Sequence, residues 1–402
     1  MRIGNDAISA SAAASQKIIS LEAMRGIASL IVLFHHFCLA FLPSVKDAYP
    51  RGLAGTPIAW IMRGESAVIF FFVLSGFVLT LKFYQRPDHG ALLLSAIKRL
   101  PRLMGPAAIS IVGGFVVLLL HWNYNEQAAA ITGSEWLRTF GNAHFPRGFE
   151  PTIASMFEQF VLVFLLPDHF WYNSNLWTMP LEYYGSLLVF LLCGLAMRRS
   201  PVMRHILAIG SAFLVWKLYN DLLPFVAGTY LALIFASTGP RSSSNAWIGM
   251  AIASCSAVLL GSVEQHWQIV GSLGLIACLI YFPGLAQCLS GTFGRLLGRF
   301  SFPLYLVHFL VIASVSSYGF KAVYGWTESY TVSVAVAGAI TLLASFAAAL
   351  PMLIFDTRWV ALVNFVFIRL SAHLLAMVKR ITKGPRPVRS SVPELPTGDV
   401  DG

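Results

Sequence analysis

Charge is what this 402-residue sequence has least of. Only 11% of its residues are Asp, Glu, Lys or Arg and 57% are hydrophobic, where an ordinary soluble domain carries about a quarter charged residues. A single soluble core cannot absorb that balance. Cysteine is scarce as well. The five residues Cys38, Cys193, Cys255, Cys278 and Cys288 lie within or at the ends of apolar runs. None stands in CxxC spacing, so neither a disulfide framework nor a zinc site is expected. No internal repeat is visible. Nor is a secretory signal peptide expected, because twenty fairly polar residues precede a full-length apolar run.

What the sequence has instead is separated apolar runs of roughly twenty residues, each enough at about 1.5 Å per residue to cross about 30 Å of hydrocarbon. They fall near residues 22–43, 66–84, 102–121, 181–197, 203–219, 222–238, 246–263, 267–288, 303–319 and 331–355. A closed barrel would need short alternating segments, so the pattern predicts an all-α, polytopic membrane bundle of about ten transmembrane helices. Lys and Arg test this count, since they gather in the cytoplasmic loops of a membrane protein. With the N-terminus inside, twenty fall in inner segments and seven in outer ones, and Arg25 lies within the first run. Both termini are therefore expected in the cytoplasm. The net charge of +10 is read as this orientation signal and implies no nucleic-acid partner.

Three regions follow: a cytoplasmic tail over 1–20, a membrane domain over 21–356, and a basic, largely disordered tail over 357–402 that stays near anionic lipid. The longest connection, 122–180, falls outside. It contains a short apolar stretch, 153–167, expected to be re-entrant or interfacial. Phe170, Trp171, Tyr172 and Trp177 beside it suit a membrane interface.

Ionisable residues inside such runs cost roughly 2.5–3.5 kcal/mol each at mid-bilayer, and therefore line cavities or find partners. The first run reads RGIASLIVLFHHF and carries Arg25, His35 and His36. Arg25 and His36 are eleven residues apart, which puts them on one helix face about 16 Å apart, with His35 turned about 100° away. A guanidinium suits a phosphate or carboxylate, and a histidine suits proton removal from a hydroxyl near neutral pH. The alternative is that Arg25 snorkels to the inner interface and His36 bonds a neighbouring helix. Arg99 and Arg102, in RLPRL, share one face at a helix start. They could hold phosphates or simply mark the cytoplasmic side. Glu182, in LWTMPLE, needs a partner, either a histidine whose charge it stabilises or an arginine such as Arg63 or Arg147. Tyr305 and His308 share a face of the ninth run, where His308 reads more readily as a helix-packing residue.

Five stretches taken in order, RGIASLIVLFHH at 25–36, FFVLSGF at 71–77, RLPRL at 99–103, LWTMPLE at 176–182 and LGRFSFPLYLVH at 297–308, resemble the acyltransferase-3 family of integral membrane O-acyltransferases. The resemblance runs over roughly residues 20–356. It implies an Arg and a His with ten residues between them, falling on Arg25 and His36, and an Arg-x-x-Arg falling on Arg99 and Arg102. It also implies acyl-CoA, commonly acetyl-CoA, as the donor, a carbohydrate or glycolipid acceptor, no metal, and a bacterial inner membrane as the setting. Phe302, Pro303 and Asp356-Thr357-Arg358 depart from the family's usual residues at those points. The expected site thus has His36 and Glu182 as catalytic groups, and Arg25, Arg99 and Arg102 binding coenzyme A. A transporter or flippase for a sugar-containing or lipid-linked substrate is the rival from another class. It would be expected to show matched repeats and broken helices.

Overall fold

A computed structural model describes residues 2–45, 56–143, 145–146, 148–239, 243 and 245–382, with side chains for all of these except 2–18, 57 and 371–382. Every regular element among the described residues is helical. In order they are α1 (Arg2–Phe41), α2 (Gly64–Gln85), α3 (His89–Ile97), α4 (Arg99–Leu119), α5 (Asn125–Thr132), α6 (Glu135–Arg138), α7 (Ile153–Leu165) and α8 (Met179–Ala196). Then follow α9 (Pro201–Leu218), α10 (Leu223–Thr238), α11 (Ala246–Leu260), α12 (Gln265–Tyr281), α13 (Pro283–Leu289), α14 (Thr292–Val311), α15 (Ser317–Thr327) and α16 (Tyr330–Thr382). Short 3-10 turns precede α2, α8 and α10, and a π turn, Ile312–Ser316, joins α14 to α15.

The bundle is all-α and polytopic, as the apolar periodicity requires. Among the described residues, eight stretches are long and apolar enough to cross a membrane, and a ninth arises if α12 and α13 count as one span. The expected run over 267–288 is not straight. It bends by 97° between Tyr281 and Pro283, because proline has no N–H to give the preceding turn and its ring clashes with it. The remaining expected span falls on α11, which has 15 residues and reaches only about 22 Å. Part of the segment after residue 356, expected to be largely disordered, is helical. Helix α1 begins at Arg2 and α16 continues to Thr382, since the sequence WVALVNFVFIRL after Arg358 remains apolar. Residues 383–402 lie outside the described residues.

The stretch 153–167 forms α7, opened by a capping box in which Thr152 and Ser155 bond each other's backbone. The aromatic cluster after it is divided. Trp177 is 41% exposed, but Tyr172 is fully buried, with its ring edge-on to Phe115 and Phe149. Its hydroxyl lies 2.6 Å from Ser155 Oγ, so it belongs to the core.

The core centres on α1, which packs against both α14 and α2, while α2 packs along α10 on its other side. Lipid gives helices no hydrophobic reason to associate, so close backbone approach at small residues must supply the contact. Helices α1 and α14 do this reciprocally. A Cβ on Gly26 would stand 2.6 Å from the backbone of Leu297, and one on Gly298 would stand 2.7 Å from the backbone of Glu22. These glycines sit inside the two motifs that also carry Arg25, His36, Tyr305 and His308. Gly298→Leu is therefore expected to push α1 from α14 at a cost of about 1–3 kcal/mol or more, and to reduce the yield of monodisperse protein in mild detergent. Gly210→Leu, with nothing within 4 Å of its Cβ direction, should leave that yield unchanged.

Candidate functional site

One cavity of about 160 Å³ opens among α1, α2, α4, α8, α14 and α16. Its polar wall contains Arg25 from α1, Arg99 and Arg102 from the first turn of α4, Glu182 from the first turn of α8, and Asp356 from α16. Phe71, Phe72, Leu74 and Leu103 supply apolar wall. All three arginines picked out by sequence therefore meet in one place, together with Glu182. The first turn of α4 is fixed there by Trp359, whose Nε1–H donates to the Pro101 carbonyl at 2.8 Å. The same contact draws α16, and Asp356 with it, to the basic turn.

Glu182 finds its partner in Arg99, not in a histidine and not in Arg63, and Arg147 lies outside the described residues. Arg99 Nη2 donates to Glu182 Oε1, Ser75 Oγ donates to the same oxygen at 2.9 Å, and Arg99 Nε donates to Ser186 Oγ at 2.7 Å. The cause is helical register. Glu182 and Ser186 stand one turn apart on α8 and face the start of α4. With the Arg99 side chain 7% exposed and Glu182 15%, each charge offsets part of the burial cost of the other. Arg102 is exposed and Arg25 half-buried, which leaves those two guanidinium groups more open to an anion.

His36 lies beyond this cavity, eleven residues farther along α1. Its Nδ1 is 2.9 Å from Nε2 of His308, and the two rings stack at 5.1 Å. Trp136, on α6 of the long loop, covers another side of His36 at 5.0 Å. That short helix is held by Ser134, which caps it and also donates to the Leu39 carbonyl at 2.6 Å. Next to Trp136, the Arg138 guanidinium beside Glu135 holds that exposed carboxyl below the usual range. His35 points elsewhere, as its 100° offset requires. Its Nδ1 is 2.9 Å from the Met62 carbonyl and its Nε2 is 3.6 Å from Glu65.

Tyr305 connects the two regions. It lines the cavity, donates its hydroxyl to the Asn175 carbonyl at 2.8 Å, and lies edge-on to His308 at 6.1 Å. Asn175 Nδ2 in turn donates to the Tyr305 carbonyl at 2.6 Å. A basic cavity at one level of the bundle thus ends one helical turn of α14 short of the pair formed by buried His308 and partly buried His36.

The family profile of the acyltransferase domain matches residues 18–350. The chain belongs to the acyltransferase-3 family. It is an acyltransferase, and it resembles an O-acetyltransferase, PaAT-1, of Phomopsis amygdali, at 24% identity over 362 residues, covering 72% of this chain and 71% of that relative. No solved structure matches this acyltransferase. Among its described residues, no group of three or more His, Cys, Asp or Glu is placed to hold a metal ion.

Three residues of the candidate site have no role assigned in the sequence. His308 shares a face with Tyr305 but reads there as packing. Asp356 reads as the edge of the domain, and Trp136 stands in no motif. The Tyr305/His308 spacing inside LGRFSFPLYLVH was the available signal for the first.

Proposed function

We propose that this chain is an O-acetyltransferase that takes acetyl from acetyl-CoA at the cytoplasmic face and delivers it to a hydroxyl of a glycan or glycoconjugate at the opposite face. The observation that carries this reading is the convergence of Arg25, Arg99 and Arg102 on one cavity that stops just below His36 and His308. The distance along α1 from Arg25 to His36 is about 16 Å, which suits a donor whose phosphates and thioester lie far apart. Arg25 and Arg102 grip the phosphates, and the Glu182–Arg99 pair shapes the wall between them. The acetyl group itself is supported by the family and by the printed activity of the fungal relative. The cytoplasmic location of the donor is supported by the excess of basic residues in loops on the Arg99 side. On the family resemblance alone, we read the membrane as a bacterial inner membrane.

The chemistry needs one proton acceptor. His36 removes the proton of the acceptor hydroxyl as that oxygen attacks the thioester carbonyl. The new O–C bond forms, the C–S bond breaks, and the proton passes to the leaving thiolate. Glu182, bonded to Arg99 and Ser75, acts on the donor side of this reaction.

Donor binding gives the test. Arg25→Ala and Arg102→Ala each remove a charge-assisted contact of about 1.5–3 kcal/mol, so KM for acetyl-CoA should rise roughly ten- to a hundredfold, measured as initial rate in membranes matched for expression. With S-acetylpantetheine, which has no phosphates, the same substitutions should change KM little. Equal effects on both donors would contradict the phosphate assignment.

A further inference from the structure

Hydrogen bonding around His36 settles which of its two nitrogens is free to act. We propose that His308 is a positioning residue, holding His36 as the tautomer protonated at Nδ1 so that Nε2 presents its lone pair to the acceptor hydroxyl. This rests on the acyl-transfer reading above.

The argument runs along three atoms. His308 Nδ1 is 2.9 Å from the Leu304 carbonyl. A carbonyl only accepts, so His308 Nδ1 carries a hydrogen. A neutral imidazole has a single N–H, so His308 Nε2 is an acceptor. That atom lies 2.9 Å from His36 Nδ1, which therefore carries the hydrogen between the rings. The lone pair of His36 is left on Nε2. The order of donors is thus fixed from a backbone carbonyl outward, much as a buried carboxylate fixes a histidine in other acyl-transfer sites.

The surroundings of His308 suit a fixed support. The side chain is 0% exposed. Tyr305 meets it edge-on, and Asn175 Nδ2 lies 3.4 Å from both ring nitrogens. The helix breaks into the π turn Ile312–Ser316 four residues later. Such turns account for well under 1% of residues and recur at functional sites. When His36 takes the acceptor's proton, its Nδ1–H becomes a charge-assisted donor to His308 Nε2, so the bond between the rings strengthens as charge develops.

The test compares His308→Ala with His308→Gln in the full chain, reconstituted in lipid nanodiscs, with acetyl-CoA as donor. A glutamine can donate to Leu304 through its amide nitrogen and accept from His36 through its oxygen, but it takes no proton. His308→Ala should lower kcat about 10²–10³-fold with KM for acetyl-CoA within about twofold of wild type. His308→Gln should return kcat to within about tenfold of wild type. Should the alanine variant fold poorly, the glutamine variant decides alone. A glutamine variant that melts as wild type but is inactive would overturn the proposal, since His308 would then carry the proton itself. So would a KM effect with kcat unchanged. A wild-type chain that moves no acetyl from acetyl-CoA would overturn the acyl-transfer reading instead, and the proposal with it.

Discussion

His36→Ala is expected to lower acetyl transfer by about 10³-fold or more per folded molecule, with KM for acetyl-CoA nearly unchanged. A positioned base contributes about 10²–10⁴-fold, and no other described group stands where His36 does, against His308 on one side and Trp136 on the other. On the proposed reading the donor's phosphates are held about 16 Å away along α1, so losing the imidazole should leave that grip intact. His36→Gln should be equally inactive, because an amide takes no proton in this range. His35→Ala should keep most of its kcat, since His35 is engaged with Met62 and Glu65 on a different face of α1. Initial rates at saturating and limiting acetyl-CoA separate kcat from KM and check the result.

Glu182→Ala is expected to be the most destabilising single change in the cavity, at about 3–5 kcal/mol. It strips the carboxylate from Arg99, whose side chain is 7% exposed, and from Ser75, leaving a buried guanidinium with only Ser186 to bond. Removing both charges together is a different experiment. In the double variant Arg99→Met with Glu182→Leu no charge is left unpaired, and stability should return to within about 1–2 kcal/mol of wild type. Thermal melting of purified protein in one detergent measures all three chains. Equal melting of the Glu182→Ala variant and wild type would mean that the Arg99–Glu182 pair carries no structural weight.

Spans and charge placement were legible in the sequence because both depend on properties local to the chain. Apolar length gave the helices, and the helical spacing of Arg99 with Arg102 and of Arg25 with His36 survives in the folded bundle. Partners across helices were not legible in the same way. Which residue Glu182 meets depends on the rotation of α8 against α4, and no periodicity encodes that. His36 and His308 are 272 residues apart, and their contact follows from the close approach of α1 and α14 at Gly26 and Gly298. The bend at Pro283 had its signal in the proline itself. The length of α16 likewise had its signal, in the apolar stretch that follows Arg358, whereas the fairly polar residues before Ile18 resemble a loop.

The most direct test of the account uses sealed vesicles of known orientation that contain the chain, with radiolabelled acetyl-CoA supplied to one face at a time and label counted in extracted glycans. The account predicts transfer only when acetyl-CoA is at the face carrying Arg99 and Arg102, and its loss in vesicles made with His36→Ala. Transfer of equal size from the opposite face, or transfer undiminished by the substitution, would contradict it.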